Sequence, residues 1–276
     1  MSTPVEELTM TDTDGVVVHL YSWRPAGAPR ALVHLAHGMG EHARRYDRVA
    51  EALTAAGFVV YADDHRASGR TGAEGSGLGD LGPGGMLGAL RSLHDVTAWA
   101  SSRHPGLAVH LVGHSWGSFL AQRAAERCGG ELRGLVLSGS TLLASPYLNL
   151  GDLNEHFSPA RTPYDWLTRD ADEVDRYVAD PWCGLEVAFD IGELLHLTGA
   201  PTVEVPSGLA VLVVNGTEDA VGGLNGGGAA LADAYRGLGL ADVTYLGYEG
   251  GRHELFNETN REEVLADLVD WLVARS

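Results

Sequence analysis

The chain has 276 residues, of which 45% are hydrophobic and 20% charged, a composition typical of a folded globular protein rather than a disordered one. Its 37 acidic residues outweigh its 19 basic residues, and the net charge of −18 disfavours nucleic acid and anionic lipid surfaces as partners. The N-terminus carries no signal-peptide pattern, and no apolar run approaches the ~20 residues of a membrane span. We therefore expect a cytoplasmic protein without stable membrane insertion; these features leave its oligomeric state open.

Short apolar runs typical of buried strands alternate along the chain with amphipathic patterns typical of helices. Strands are predicted at about residues 15–22, 31–36, 57–62, 107–112, 133–138, 208–214 and 242–248. Helices are predicted at about residues 43–56, 85–102, 116–128, 170–179, 227–239 and 259–274. This alternation predicts an α/β protein with a mostly parallel, eight-stranded sheet and helices on both faces. The first run and the stretch before it would form an antiparallel edge.

One segment, residues 141–205, interrupts the alternation with many Pro, acidic and aromatic residues and without a clear buried strand. It is too long for a plain connection. Because it enters at the carboxyl end of a strand, where open α/β sheets bind ligands, we expect a cap over a site rather than an extra surface lobe. Residues 1–140 and 206–276 would form the core. The glycine-rich stretches 72–88 and 222–228 lack nucleotide-binding patterns and are predicted to be loops.

Residues 113–117 read Gly-His-Ser-Trp-Gly, which matches the pattern G-x-S-x-G between a predicted strand and a predicted helix. A serine on so tight a turn needs strained backbone angles, and side chains two positions away would collide, which explains both glycines. The turn projects the hydroxyl above the sheet edge and aims the N–H groups of the helix N-terminus at a developing oxyanion. We therefore predict that Ser115 is a catalytic nucleophile.

A serine hydroxyl needs a base to take its proton, and around this kind of turn the chain order is serine, acid, histidine. Of the 12 histidines, only His253 lies beyond residue 196, and it directly follows the last predicted strand. His253 is therefore the predicted base. The strand before it leads into a turn that carries Glu218 and Asp219, and both are candidates for the acid. Asp219 is favoured because it ends the turn, from which a short carboxylate can reach and orient a histidine ring.

A glycine-flanked turn follows the predicted strand at 31–36 and can aim a second backbone N–H group into the site. The expected oxyanion donors are the N–H groups of Met39 and Trp116. Glu41 and Arg45, which follow this turn, could form structural ion pairs or shape the entrance to the site, and we favour the structural role.

Two cysteines, Cys128 and Cys183, are expected to be free thiols, because a fold of this size does not need a disulfide. Neither has metal-ligand neighbours at close spacing in the sequence. No metal site is therefore predicted.

Four segments of the chain carry further distinctive residues. The segments are His37 to His42 with Arg45 and Tyr46; Asp64 to Arg66 with Gly69 and Arg70; Thr168 to Asp170 with Tyr177, Asp180 and Pro181; and Arg252 to Glu254 with Asn257 and Glu258. Together they resemble the monoacylglycerol lipase and lysophospholipase family, and the matches span about residues 15–275. The first two segments are similar to the family's H-G-x-G-E-H…R-Y segment and D-H-R-G-H-G-R-S loop, and the last two to its cap segment and histidine loop.

The resemblance implies an α/β-hydrolase fold with a small cap, acting on small-molecule or lipid-like carboxylic esters without a cofactor. It implies the triad Ser115, Asp219 and His253, and the oxyanion donors Met39 and Trp116. The chain departs from the family at Ala67-Ser68, which replaces a Gly-His pair, and at Trp116, which replaces a common Met and would put an indole at the mouth of the acyl pocket. The cap is also acidic and lacks a clear apolar docking helix.

Aromatic residues of the cap are candidates for the substrate-binding surface, although ordinary packing between cap and core explains each one equally well. Together with Trp116, the predicted substrate-binding residues are Tyr147, Phe157, Trp166 and Trp182, with Tyr164 and Phe189 as further candidates. The favoured activity is that of an esterase working through an acyl-enzyme. The alternatives are a thioesterase, amidase or lactone hydrolase with the same machinery, and a related protein that binds a small molecule without turnover.

Overall fold

The computed structural model describes residues 5–149, 151–189 and 191–276. Its strands are Val5–Thr11 (β1), Val17–Trp23 (β2), Ala31–Ala36 (β3), Phe58–Asp63 (β4), Ala108–His114 (β5), Gly134–Ser138 (β6), Ala210–Gly216 (β7) and Val243–Tyr248 (β8). Its helices are Asp47–Ala55 (α1), Gly69–Glu74 (α2), Gly85–Ser102 (α3), Trp116–Cys128 (α4), Ala171–Ala179 (α5), Ile191–Leu194 (α6), Gly227–Gly237 (α7) and Arg261–Val273 (α8).

The strands form one sheet in the order β1-β2-β4-β3-β5-β6-β7-β8. The pairs β1–β2 and β2–β4 are antiparallel, and every pair from β4 onward across the sheet is parallel. The prediction of an eight-stranded, mostly parallel sheet with an antiparallel edge is therefore confirmed. Since β3, β5, β6, β7 and β8 run in the same direction, the loops that follow them meet at one edge of the sheet.

Alternate side chains of the central strands point to opposite faces, and each face carries its own apolar core. Leu111 and Val211 pack on one face against helices α3, α4 and α7. Val112 and Leu212 pack on the other face against α1 and α8. Burying a side chain of this size contributes about 1.5–3 kcal/mol, so two filled faces hold the sheet rigid beneath the loops at its edge.

The predicted strands agree with the observed ones to within two residues, but both glycine-rich stretches are partly helical rather than loops. Helix α3 begins at Gly85 and α7 begins at Gly227. The physical reason is close packing. A Cβ atom at Gly88 would collide with the carbonyl of Pro83, and one at Gly228 would collide with the side chain of Asn215. Glycine is needed at these positions by tertiary contacts, which composition alone does not reveal.

The segment between β6 and β7 contains the residues predicted as a cap, 141–205, which we call the insertion. Its described residues form helices α5 and α6 and no strand. An isolated bridge joins Leu143 to Gly199, and another joins Ala188 to Asp80 of the core, so the insertion folds back onto the sheet edge. Across the described ranges of the chain, no helix is both long and apolar enough to span a membrane.

Candidate active site

Ser115 lies in the sharp turn between β5 and α4, with φ 50° and ψ −122°. A positive φ is costly for a residue with a side chain and persists only where the surroundings enforce it. The neighbouring glycines make the turn possible. A Cβ atom at Gly113 would lie 2.7 Å from the Cα of Ser118, and one at Gly117 would collide with the carbonyls of Ala36 and His37. The sequence pattern thus produces a strained serine at the sheet edge, at the N-terminus of α4.

His253 follows β8, and its Nδ1 lies 2.9 Å from Oδ1 of Asp219, which follows β7. Both side chains are buried. The second ring nitrogen, Nε2, is buried and has no hydrogen-bond partner within the described chain. Because Asp219 accepts a proton-bearing Nδ1, Nε2 is left with a lone pair that can accept a proton. The rings of His253 and His114, the residue before Ser115, are 4.7 Å apart.

Asp219 is held as a carboxylate by three donors. Its oxygens accept hydrogen bonds from Nδ1 of His253, from the Val221 N–H at 2.8 Å and from the Asn215 amide at 3.0 Å. Burial alone would raise the pKa of Asp219, but the charge and hydrogen bond of His253, followed by the other two donors, lower it below its usual value. The hydrogen bond to the His253 ring therefore comes from Asp219 and not from Glu218, the alternative acid. Glu218 contributes its backbone N–H to the Gly251 carbonyl instead.

The hydrogen bond between Asp219 and His253 shifts the pKa of His253 in the opposite direction. Burial alone would lower the pKa of His253, but the charge of Asp219 and its hydrogen bond raise that pKa above 6.5. His114 lacks such a partner, and burial together with the neighbouring His253 lowers its pKa to about 4. Of these two adjacent rings, His253 is therefore the one that can take up a proton near neutral pH.

The turn after β3 lies directly against the serine, because a Cβ atom at Gly38 would come within 3.2 Å of the Cβ of Ser115. The Gly38 N–H is already used, donating to Oε1 of Glu41 at 2.6 Å. The N–H groups of Met39 and Trp116 donate to no other group in the described ranges. Met39 and Trp116 line the same cavity as Ser115, and unused backbone donors of this kind are what an oxyanion hole requires.

Arg45 ties this turn to the loop that carries His253. Its Nη1 lies 2.6 Å from Glu41 and 2.6 Å from Glu254, and Nη2 lies 2.7 Å from Glu254. Tyr46 donates a further hydrogen bond to Glu41 at 2.8 Å. Burial alone would raise the pKa of Glu41, but Arg45 and neighbouring groups lower it to about 2. The structural role favoured for Glu41 and Arg45 agrees with these contacts.

Replacing Arg45 with Met should lower the free energy of unfolding by about 3–5 kcal/mol, because two buried carboxylates lose their counter-ion. Arg44→Met is the matched control, since Arg44 forms an ion pair with the partly exposed Asp47, a kind of pair worth about 1 kcal/mol or less, and lies 5.5 Å from the centre of the Tyr21 ring. Urea unfolding of both variants at pH 7 measures the difference. Equal losses for Arg44→Met and Arg45→Met would contradict the structural role of the buried network.

A second buried network beneath the same turn is not recognisable from the sequence. The Asp63 carboxylate lies 2.8 Å from Nε2 of His34 and 2.8 Å from Nδ1 of His65. The backbone N–H of His65 donates to Nε2 of His37, and the two rings are 4.1 Å apart. His34, which interrupts the apolar run of β3, is thus part of a buried polar cluster. A histidine within an apolar strand is the one feature of the sequence that could have indicated this cluster.

The loop that departs from the family pattern keeps a glycine-like backbone, because Ala67 has φ 72°. Such an angle costs an alanine about 1–2 kcal/mol. The Ala67 carbonyl accepts the Gly79 N–H at 2.8 Å, and the Ser68 carbonyl accepts the Gly72 N–H at 2.8 Å. These two backbone hydrogen bonds hold the loop at the Ala67-Ser68 pair.

A largely apolar cavity of about 530 Å³ lies between Ser115 and the insertion, within the usual size range of small-molecule sites. Three of the aromatic candidates line it, namely Tyr164, Trp166 and Phe189. Trp116 also lines it, but its indole is only 2% exposed and its Nε1 faces Met86 Sδ at 3.4 Å. The indole therefore lies in the cavity wall, and the expectation that it sits at the mouth is wrong.

Three predicted substrate-binding residues lie outside this cavity. Phe157 packs under the Arg252 guanidinium at 4.2 Å, and Trp182 packs edge-on against His42 at 5.5 Å. Tyr147 is half-buried and does not reach the cavity wall. No periodic pattern fixes side-chain directions in the insertion, so the sequence could not separate the lining from the packing aromatics. It also missed lining residues that share an apolar character, namely Phe119, Leu143, Leu148, Tyr177 and Leu197.

Comparison with known proteins assigns the family. A family model described as serine aminopeptidase, S33, matches residues 27–260. The monoacylglycerol lipase of Mycolicibacterium smegmatis is 32% identical, with 99% of each chain covered. The chain is an α/β-hydrolase of the monoacylglycerol lipase-like family. The resemblance expected from the sequence is thereby confirmed, and the protein is a hydrolase enzyme.

Two further relatives agree with this assignment. The human monoglyceride lipase is 30% identical to this α/β-hydrolase, over 93% of this chain and 86% of the human protein. The crystal structure of a highly thermostable carboxyl esterase from Bacillus coagulans, in complex with glycerol, superposes with a TM-score of 0.89 at 25% identity, covering 98% of each chain. The α/β-hydrolase fold thus extends over nearly the whole chain.

Proposed function

We propose that this α/β-hydrolase cleaves carboxylic esters of the monoacylglycerol type, with Ser115 as nucleophile, His253 as general base and Asp219 as the acid that orients the base. The observation that carries the proposal is the buried Asp219–His253 hydrogen bond, which leaves Nε2 free beside an apolar cavity that reaches Ser115. The relatives named as monoacylglycerol lipases and as a carboxyl esterase support the ester as the bond cleaved.

In the proposed reaction, the Ser115 hydroxyl oxygen attacks the ester carbonyl while Nε2 of His253 takes the hydroxyl proton. The oxyanion accepts hydrogen bonds from the Met39 and Trp116 N–H groups. Collapse of the tetrahedral intermediate breaks the bond to the alcohol, which leaves with the proton from His253. A water molecule then attacks the acyl-enzyme, His253 takes its proton and returns it to Ser115, and the carboxylic acid is released.

Residues 141–205 are proposed to act as a cap over this site, with the core formed by residues 1–140 and 206–276. Support comes from the side chains that this segment contributes to the cavity wall, including Tyr164, Trp166 and Phe189. The Trp166 ring also packs against the His253 ring, with centroids 4.8 Å apart. A cap in this position would shield the imidazole from water and supply the apolar surface for an acyl chain.

The activity test is a series of p-nitrophenyl esters from acetate to palmitate, followed by a monoacylglycerol. We expect turnover with an optimum at medium or long acyl chains, because the cavity wall is mostly apolar. Turnover of the esters from acetate to butyrate alone would favour a small-molecule esterase. Inertness towards every ester would overturn the proposal.

Narrowing the cavity should move this optimum. Leu148 lines the cavity, and Leu148→Trp is expected to reduce kcat/KM for long-chain esters at least about tenfold while changing the acetate ester little, since one or two lost methylene contacts already cost 1–3 kcal/mol. Val203→Trp is the matched control, because Val203 is 88% exposed on the surface of the insertion. An unchanged chain-length profile in Leu148→Trp would place the acyl chain elsewhere.

An amide bond is the second candidate, and one observation favours it. The cavity includes Glu186, an exposed carboxylate that forms no ion pair within the described ranges and could bind an ammonium group. The family model is itself described as a serine aminopeptidase. Aminoacyl p-nitroanilides separate the two readings, because an aminopeptidase would hydrolyse them faster than the corresponding esters of uncharged acids, and Glu186→Gln would reduce that activity.

A further inference from the structure

Two hydrogen bonds to one backbone carbonyl join the insertion to the turn after β3. The Gly184 N–H donates to the Gly40 carbonyl at 2.8 Å, and the Tyr177 hydroxyl donates to the same carbonyl at 2.8 Å. Three side chains with metal-binding atoms meet at this junction, and the proposed mechanism uses none of them. They are His42, Asp180 and Cys183.

The geometry of this group suits a metal ion. One potential ligand atom from each residue lies within 4.8 Å of the other two. Nε2 of His42 is 2.9 Å from Oδ2 of Asp180, while Nδ1 is buried and has no partner in the described chain. Asp180 and Cys183 belong to one tight turn, in which the Cys183 N–H donates to the Asp180 carbonyl at 3.1 Å. The turn fixes the spacing of two ligands, and His42 supplies the third from the core.

We propose that His42, Asp180 and Cys183 form a zinc-binding site, completed by a water molecule, which clamps the insertion to the turn that carries Met39. Thiolate, imidazole and carboxylate are the three protein ligands that Zn²⁺ accepts in tetrahedral sites. Bond lengths of about 2.0–2.3 Å place tetrahedral ligand atoms about 3.3–3.7 Å apart. Side-chain rotations that move these atoms by about 1 Å would close the group around the ion. Asp180 is 30% exposed, which gives the ion and its water a path from solvent.

The surrounding charges allow a cation. Arg45, a positive group that acts on both Asp180 and Cys183, is already paired with Glu41 and Glu254. The chain as a whole carries a net charge of −18. Burial raises the pKa of the Cys183 thiol well above its usual range, which outweighs the lowering effect of Arg45. Zn²⁺ must therefore displace the thiol proton, which passes to solvent, and binding should strengthen as the pH rises.

Metal binding is tested directly, independently of ester turnover. The chelator-treated full-length protein is titrated with Zn²⁺ against a chromophoric zinc chelator, and with Co²⁺, whose thiolate charge-transfer absorption reports a bound cysteine. We expect one Zn²⁺ per chain and this absorption with Co²⁺. Cys183→Ser should weaken Zn²⁺ binding by at least about tenfold and abolish the absorption with Co²⁺. Asp180→Asn should weaken Zn²⁺ binding but keep the absorption with Co²⁺, because the thiolate is still present.

Two control variants separate this site from adventitious binding. Cys128→Ser removes the other thiol, which is buried in α4, and His156→Asn removes an exposed histidine of the insertion. Both should bind Zn²⁺ as the parent does. Absence of stoichiometric Zn²⁺ binding, or binding to Cys183→Ser that equals the parent's, would overturn the proposal. Because the readout is binding, failure of the ester-hydrolase proposal would leave this result unaffected.

Discussion

Replacing Ser115 with alanine is expected to reduce kcat/KM for ester hydrolysis by about 10⁴- to 10⁶-fold while leaving the protein folded. The physical reason is that the acyl-enzyme cannot form without the hydroxyl, so only binding and the oxyanion donors remain. The Ser115 hydroxyl makes no capping hydrogen bond to α4, and alanine removes only this hydroxyl. Steady-state kinetics with a p-nitrophenyl ester measures the loss.

Ser92→Ala is the control for this experiment, because it removes a serine hydroxyl that is buried in α3 and has no hydrogen-bond partner in the described chain. Its activity should equal that of the parent. Covalent labelling with a fluorophosphonate should occur in the parent and in Ser92→Ala and should disappear in Ser115→Ala. Retained turnover and labelling in Ser115→Ala would show that the nucleophile is another residue.

Replacing Asp219 with asparagine is expected to reduce kcat on the order of 10⁴-fold at neutral pH, although the side-chain shape is preserved. The amide can donate to Nδ1 of His253, which would place the proton on Nε2 and remove the base. Glu218→Gln makes the same chemical change one residue earlier, whereas the hydrogen bond to the His253 ring comes from Asp219. That variant should retain parental activity. Equal losses in the two variants would contradict the assignment of the acid.

The pH profile of the parent follows from the same pair. His253 acts as a base only when neutral, and Asp219 raises its pKa above 6.5. The value of kcat/KM should therefore rise with pH through that pKa and level off above it. In Asp219→Asn the carboxylate charge is absent, so any residual activity should show its acid limb at lower pH. If the acid limb lies at the same pH in both proteins, the His253–Asp219 pair does not determine it.

Local patterns in the sequence were sufficient for the strands, the order of elements and the sharp turn at Ser115. Buried parallel strands appear in the sequence as continuous apolar runs. The turn at Ser115 requires glycine at positions 113 and 117 because side chains there would collide with nearby backbone. Chain order also singled out His253, because it is the one histidine after the last strands. These features rest on backbone sterics and short-range periodicity, which a sequence expresses directly.

The tertiary structure decided what depends on groups that are distant in the chain. It brought Asp219, rather than Glu218, to the ring of His253, and it placed the Trp116 indole in the cavity wall against Met86. It also gathered His42 beside Asp180, 138 positions away, where no sequence spacing could indicate a shared ligand. Such choices depend on which side chains meet across the folded sheet edge and on the direction each one takes, and neither is encoded by local periodicity.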